Sequence, residues 1–298
     1  MPRLSVRHVT TYRYRRPVSF GEHRMMFRPQ ESYDQRLIDM RLRITPEPVD
    51  LRWMHDVMGN VVAIARFGES ADTLIFDSDV LLDHLPSNTP DFRMEDYARM
   101  YPFTYGPEEM PDLARSIERH YFDPGHELDH WVRRFLDGDG ETPTGQILMN
   151  ITHAIKESFT YIGRQEAGTQ DPIQTLTSGR GTCRDFAVLM MEAVRALGFA
   201  ARFVSGYLYV PDSAGHIGGG NTHAWVQVYL PGAGWVEFDP TNGIIGNRDL
   251  IRVAVARDPR QAIPLWGTWA GKPDDNVSMD VSVEVSEIAL DKRRYAAV

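Results

Sequence analysis

Two hydrophobic rhythms divide this chain. From Pro2 to about Leu85 apolar and polar residues alternate in short β-branched runs, LSVRHVTTYRY, LIDMRLRITP, VVAIARF and TLIFDSDVLL, separated by RPQESYDQ, PEPVD and VMGN. Period-two alternation broken by turn-forming residues predicts strands, hence an all-β N-terminal domain over residues 1–88. The tract SNTPDFRMEDY then reads as a linker. Beyond it the spacing changes to three and four: EEMPDLARSIERHYF, ELDHWVRRFL and TGQILMNITHAIKESF, the last with Ile147, Ile151, Ala154 and Ile155 on one stripe. A further helix is expected in SGRGTCRDFAVLMMEAVRALG, with Phe186, Leu189, Met190, Ala193, Val194 and Leu197 on the buried face, Arg184, Glu192 and Arg195 on the other, and Gly198 as its stop. Strands return in FAARFVSGYLYV and in HAWVQVYL and GWVEFD, two runs joined by PGAG as a hairpin. Helices followed by strands in one unit predict an α+β core, residues 89–273, with helices packed on an antiparallel sheet. The alternating tail VSMDVSVEVSEI needs a partner strand and a core for Val281, Val283 and Val285; the expectation is that residues 278–288 return to complete the N-terminal domain.

The chemistry gathers where these patterns meet. The single cysteine, Cys183, falls at the start of the predicted helix, with Thr182 as N-cap, Asp185 three residues on, and Gly179 and Gly181 leaving its approach open. A helix N-terminus carries positive partial charge and favours thiolate over thiol. A lone cysteine also packs readily as a small hydrophobe, so its position alone leaves both readings open. In the hairpin, His223, Trp225, Gln227 and Tyr229 share one strand face, and Trp235, Glu237 and Asp239 share one face of the next. A three-residue loop sets Asp239 opposite Trp225 and diagonal to His223 on the same face; a loop of two or four residues sets them on opposite faces. The first arrangement offers a base, His223, oriented by a carboxylate, Asp239.

GTCRDFA followed by THAWVQVYLPGAGWVEFDPTNG resembles the transglutaminase-like superfamily, the bacterial branch of papain-like thiol enzymes, in which Cys, His and Asp occur in this order. The opening RHVTTYRYRRPVSFGEHRMMFRP, the DVMGN turn and the ending RDPRQAIPLWGTW resemble its bacterial two-domain version, so the likeness spans nearly the whole chain. It implies a papain-like transglutaminase core, with Cys183 as nucleophile, His223 as general base and Asp239 as orienting carboxylate. It further implies a thioester intermediate, a peptide or protein amide as substrate and no cofactor. The Cys183 N–H supplies one oxyanion donor, and Gln174, upstream like the papain-type glutamine, is a weak candidate for the second. Three function classes follow: a thiol hydrolase cleaving a peptide or side-chain amide, a transglutaminase passing the acyl group to an amine, and a catalytically silent binding module. Keeping all three residues argues against the third. Animal transglutaminases carry Trp three residues before the histidine and directly after the cysteine; Gly220 and Arg184 stand here, which tilts the expectation toward hydrolysis.

Composition adds limits. With 298 residues, 42% hydrophobic and 24% charged, the chain has ample core, and its net charge of −9 without a basic tract argues against a nucleic-acid partner. The N-terminus has no apolar signal core and no run of about 18 apolar residues occurs, so neither export nor a membrane association is expected. One cysteine forbids an internal disulfide, and a cytoplasmic home is the expectation. His120, His126 and His130 lie close in sequence without a ligand pattern, and Asp171, Asp185 and Asp249 lack a calcium-loop spacing, so no metal is expected. The stretch GHIGGGN at 215–221 reads as a loop leading to His223 that admits substrate.

Overall fold

A computed structural model describes residues 2–85, 93–138, 140–163, 168–210, 217 and 219–288. The N-terminal sheet is organised around one strand, β1 (Arg3–Met25), with β2 (Gln35–Thr45), β3 (Asp50–His55), β4 (Val61–Arg66) and β5 (Ala71–His84) in the order β2-β5-β1-β4-β3. Alternation shapes the early part of β1: Leu4, Val6, His8 and Thr10 are buried, and Leu4 and Val6 lie opposite Leu82 and Val80 of β5. The β1–β5 ladder is interrupted between Arg13 and Val18, the interval containing Pro17, which has no N–H to give. Strand β3 was not expected. All six of its residues are exposed, so it carries no period to detect, and it forms by pairing along β4.

Helices α1 (Met110–Ile117), α2 (Glu127–Arg133), α3 (Thr144–Ser158), α4 (Pro172–Ser178) and α5 (Cys183–Ala196) follow. Two short ladders stitch them, β6 (Met100–Tyr101) with β7 (Thr142–Pro143), and β8 (Thr160–Tyr161) with β9 (Arg180–Gly181). The core sheet runs β13-β12-β11-β10-β14, formed by β10 (Ala201–Leu208), β11 (His223–Leu230), β12 (Gly234–Asp239), β13 (Ile244–Ile245) and β14 (Leu250–Ala256). Phe186, Leu189, Met190, Ala193 and Val194 of α5 share one core cluster with Ala224, Val226, Val228 and Leu230 of β11 and with Ile147, Ile151 and Ile155 of α3. Gly198 ends α5 in the left-handed region at φ +87°, and Phe199 N–H bonds back to Val194 O over 3.0 Å. The short α4, capped by Asp171 and opened by Pro172, escaped the periodicity reading because seven residues hold only two turns.

The polar side assigned to α5 is a correction. Glu192 and Arg195 are buried with each other, 2.9 Å apart, because neighbouring chain satisfies them. Glu192 accepts from the His120 and Tyr121 N–H groups, and Arg195 donates to the carbonyls of Ser116, Ala201 and Arg257. A fully hydrogen-bonded pair sits in a core that would reject either partner alone.

After the core sheet the chain re-enters the N-terminal sheet through β15 (Leu265–Ala270) and β16 (Asn276–Ile288), both antiparallel to β1. The alternating tail therefore pairs with the first strand, and Leu4, Val6, Val80, Leu82 and Val283 pack with Tyr207, Ile251 and Val253 of the core sheet. The DVMGN turn has a docking role. Asp56 holds the N–H groups of Met58 and Asn60, and the Asn60 amide pairs with both the C=O and the N–H of Val255, at 2.7 and 2.8 Å. The expected linker lies mostly outside the described residues.

Candidate active site

Cys183 is the first residue of α5. Thr182 caps the helix through a reciprocal box: its hydroxyl accepts from the Asp185 N–H, and Asp185 Oδ2 accepts from the Thr182 N–H over 2.8 Å. Asp185 also accepts from the Gln170 N–H over 2.7 Å, which ties the segment before α4 to the helix start. Cys183 is buried, with 7% of the residue's surface exposed.

The β11–β12 hairpin fixes the other two residues. The observed register pairs Val226 with Phe238 and Leu230 with Gly234, so the loop is Pro231–Gly232–Ala233, three residues. Continuing that register by one step sets Asp239 opposite Trp225 and diagonal to His223. His223 Nε2 lies 2.8 Å from Asp239 Oδ2, and both side chains are fully buried. Since an ionised carboxylate only accepts, Nε2 carries the proton in this bond.

Asp239 is held from three further directions. The Thr241 N–H donates to Oδ1 over 2.9 Å, Asn242 Nδ2 donates to Oδ2 over 2.9 Å, and the Asp239 carbonyl accepts from the Gly243 N–H. Asn242 also accepts from the Ile217 N–H over 2.7 Å and donates to the Ile217 carbonyl, so it couples the chain ahead of His223 to the carboxylate. Burial alone would raise the Asp239 carboxyl; the His223 charge and these donors outweigh it and hold it below the usual carboxylate range. For His223 burial alone favours neutral imidazole, but Asp239 and then Cys183 reverse the balance, and its pKa is raised. Nδ1 makes no conventional hydrogen bond among the described residues and is the ring nitrogen left for Cys183 and for substrate.

Trp225 backs the site: fully buried, it stacks on the imidazole with centroids 6.0 Å apart and planes 29° from parallel. Gly206 lies opposite His223 on β10, where an added Cβ would fall 2.1 Å from the Ile251 carbonyl and 2.7 Å from the Trp225 ring. Only glycine lets the indole come that close.

Arg184 and Thr222, the sequence neighbours of Cys183 and His223, line a cleft of about 430 Å3 between the N-terminal sheet and the 259–264 segment, although Cys183 and His223 themselves do not line it. Thr10, Tyr12 and Met279 line it from the N-terminal sheet, and Trp266 lines it from β15. Arg184 spans this region, donating to the Pro259 carbonyl over 3.1 Å with its guanidinium 5.0 Å from the Phe203 ring centre. At Gly220 nothing among the described residues lies within 4 Å of an added Cβ.

Of the residues expected from the sequence, His223 and Asp239 are bonded to each other, and Cys183 stands at the first position of α5, where it contributes to the raised pKa of His223. Gln174 is not brought to them: that residue is exposed on α4 with no side-chain bond to the site. Tyr161 was missed. Its phenol, on β8 beside the helix start, is pushed up to about 12 by burial first and then by the charges of Cys183 and Asp185. Asn242 was also missed, although it stands in the DPTN stretch directly after Asp239. Among the described residues no cluster of three or more potential ligands could hold a metal, and no helix is long and apolar enough to cross a membrane. His126 pairs with Asp129 on the surface and His120 contacts Arg257. Of the 215–221 loop, three positions lie outside the described residues.

Comparison with known proteins agrees with this architecture. Residues 130–240 match the family model of the transglutaminase-like superfamily, and residues 4–83 match that of the bacterial transglutaminase-like N-terminal region. An uncharacterised protein of Mycobacterium tuberculosis is 29% identical over 306 aligned residues, covering 95% of this chain and 92% of the relative. An uncharacterised Mycobacterium leprae protein is 36% identical over 119 residues, 39% of this chain and 41% of its own. Among solved structures, a Cytophaga hutchinsonii protein described as a candidate cysteine protease superposes with a TM-score of 0.70 at 19% identity, over 97% of this chain and 92% of that one, a likeness of fold.

Proposed function

The chain belongs to the transglutaminase-like superfamily, and from that membership and the site geometry we propose that it is a thiol-dependent hydrolase of a peptide or side-chain amide bond, with Cys183, His223 and Asp239 as its triad. The observation that carries this reading is a buried imidazole bonded to Asp239 on one side and felt by Cys183 on the other. Asp239 holds the ring with Nε2 protonated, which directs Nδ1 at the reacting atoms. An imidazolium beside the sulfur favours its anionic, nucleophilic form. The sulfur attacks the amide carbonyl carbon, a C–S bond forms, and the C–N bond breaks as His223 gives a proton to the leaving amine. Water then attacks the thioester with His223 taking its proton, the C–S bond breaks, and the acid is released with the thiolate–imidazolium pair restored. The Cys183 N–H, at the first position of α5, has no intrahelical acceptor and is available to the oxyanion; the Tyr161 hydroxyl replaces Gln174 as the candidate second donor.

The lack of a side chain at Gly220 and the engagement of Arg184 with Phe203 support water as the acceptor. The second reading, transfer to an amine, is favoured by Trp266 and Tyr12 in the cleft, aromatic groups from other segments that restrict water. A glutamine-containing peptide pool turned over with millimolar methylamine, analysed by mass spectrometry, separates the two. Free acid as the main product supports hydrolysis; a dominant methylamide identifies the transferase.

A further inference from the structure

Another cavity, of about 660 Å3, lies further along β11, where Gln227 shares a strand face with Trp225 and His223; Cys183, His223 and Asp239 do not line it. One row of side chains crosses the sheet there: Arg202 of β10 stands opposite Gln227, and Gln227 opposite Glu237 of β12. The row is bonded from end to end. Arg202 Nε donates to Gln227 Oε1 over 2.7 Å, Gln227 Nε2 donates to Glu237 Oε1 over 2.6 Å, and Arg252 Nη1 of β14 donates to the same carboxylate oxygen over 2.6 Å. Through Nη2, Arg252 also bonds Ser32 and Asp34, and Arg28 lies 3.6 Å from Glu31. Two of the arginines that line the cavity are therefore paired with carboxylates.

Arg202 is not. Among the described residues its one acceptor is the neutral Gln227 amide, which Nε uses, so both amino groups of the guanidinium, Nη1 and Nη2, are without an acceptor. The guanidinium is nonetheless held in place, bonded at Nε and seated 4.1 Å from the centre of the Trp235 ring. Burial first and the nearby Arg252 charge second pull its pKa down to about 10, and Glu237 offsets only part of this. A preorganised fork on a desolvated cation is the state that a bound anion relieves.

The walls choose among anions. Glu31, Asp34 and Glu237 line the same cavity, so a phosphate or another dianion meets carboxylates around it. A carboxylate carries a single charge, and its two oxygens match the planar fork. Pro29, Val61 and Ala233 add apolar lining, and the volume is that of a small-ligand pocket. We propose that this cavity is a binding site for a monocarboxylate, gripped by Arg202 Nη1 and Nη2 on the seat made by Gln227 and Trp235, with the apolar body of the ligand against Pro29, Val61 and Ala233. A free small molecule and the C-terminus of a peptide present this same group. The site is distinct from the triad and does not depend on the reaction at Cys183.

The test is proton–nitrogen NMR of the full chain, read at the Arg202 Nε–H and the Trp235 indole N–H, with phenylacetate, N-acetyl-alanyl-alanine, the C-terminal amide of that dipeptide and inorganic phosphate as probes. One or both acids at millimolar concentration should move these signals saturably, and the amide and phosphate should bind about tenfold more weakly or less, the worth of one charge-assisted hydrogen bond. Phenylacetate acting alone assigns the site to small molecules, the dipeptide acid acting alone to peptide termini, and both acting to any monocarboxylate that fits. Arg202→Lys keeps the charge but loses the fork, and the acid that binds wild type should bind it about tenfold more weakly, read at the Trp235 indole. On wild type, signals that neither acid moves, or an amide or phosphate that binds as tightly as the acids, would overturn the proposal without relying on any variant. Unchanged affinity in a folded Arg202→Lys protein would overturn it as well.

Discussion

Asn242 bonds Asp239 Oδ2 and both backbone groups of Ile217 at once, so the carboxylate that orients His223 is joined by one side chain to the chain that precedes His223. The hairpin sets the distance between imidazole and carboxylate; Asn242 holds the carboxylate's direction. Replacing it with Ala leaves a buried carboxylate one donor short and should destabilise the fold by about 1–3 kcal/mol in urea unfolding. Because Asp239 keeps the Thr241 N–H and His223, iodoacetamide alkylation of Cys183 should slow less than in His223→Ala. Loss of alkylation equal to His223→Ala without any loss of stability would contradict this division of labour.

A pH dependence of stability follows from His223. Its folded-state pKa is raised above the ordinary 6.5, so the native protein binds this proton more tightly than the unfolded chain. Its contribution is complete below 6.5 and is lost as pH rises toward the folded value, with a slope of about 1.4 kcal/mol per pH unit at most. Asp239→Asn removes the largest favourable cause. Between pH 7 and 9 the denaturation midpoint of the wild type should fall more steeply than that of Asp239→Asn; parallel profiles would show that the imidazole is not held as a cation.

His8 gives the opposite arm. Buried against Phe27 and bonded to Tyr207 and Thr10, it is lowered to about 4 by desolvation, so the native state binds fewer protons than the unfolded chain between pH 4 and 6.5. Its stabilisation is complete above 6.5 and disappears as pH falls toward 4. Since carboxylates also titrate there, the check is a difference: His8→Gln should flatten the decline between pH 6.5 and 5, where most carboxylates are still ionised. An unchanged decline would mean that His8 is protonated in the fold.

The Glu192–Arg195 pair is predicted to be mutually dependent. Arg195→Met leaves Glu192 buried without its cation and should cost about 3–5 kcal/mol, while the double substitution Glu192→Leu with Arg195→Met should recover a large part of that loss. Additive losses in a double-mutant cycle would refute the coupling.

This pair also marks where the sequence stops being legible. The α5 apolar stripe and its N-cap were readable because helix period and capping chemistry are local, but charged residues at 192 and 195 look solvated until the segments at 116–121 and 257 arrive to bind them. The same limit hid β3, an exposed strand held only by pairing, and β14, whose partner β10 lies more than 40 residues upstream. The site was more legible than its setting. Cys183 stood out at a helix start, and the His223–Asp239 contact reduced to one unknown, the hairpin loop length, which the register resolves as three. Tyr161 was invisible because it is set opposite Gly181, just ahead of α5, by a two-residue ladder, β8 with β9, that no pattern announces.

The central claim is that His223 and Asp239 act on the Cys183 sulfur, and the rate of iodoacetamide alkylation at Cys183 between pH 5.5 and 8.5 tests it most directly. Wild type should react readily below pH 7, His223→Ala should lose that acid-side reactivity, and Asp239→Asn should fall between the two. If all three proteins give one superimposable profile that rises only near the free-thiol value of about 8.5, Cys183 is a packed core thiol and the thiol-hydrolase account is wrong.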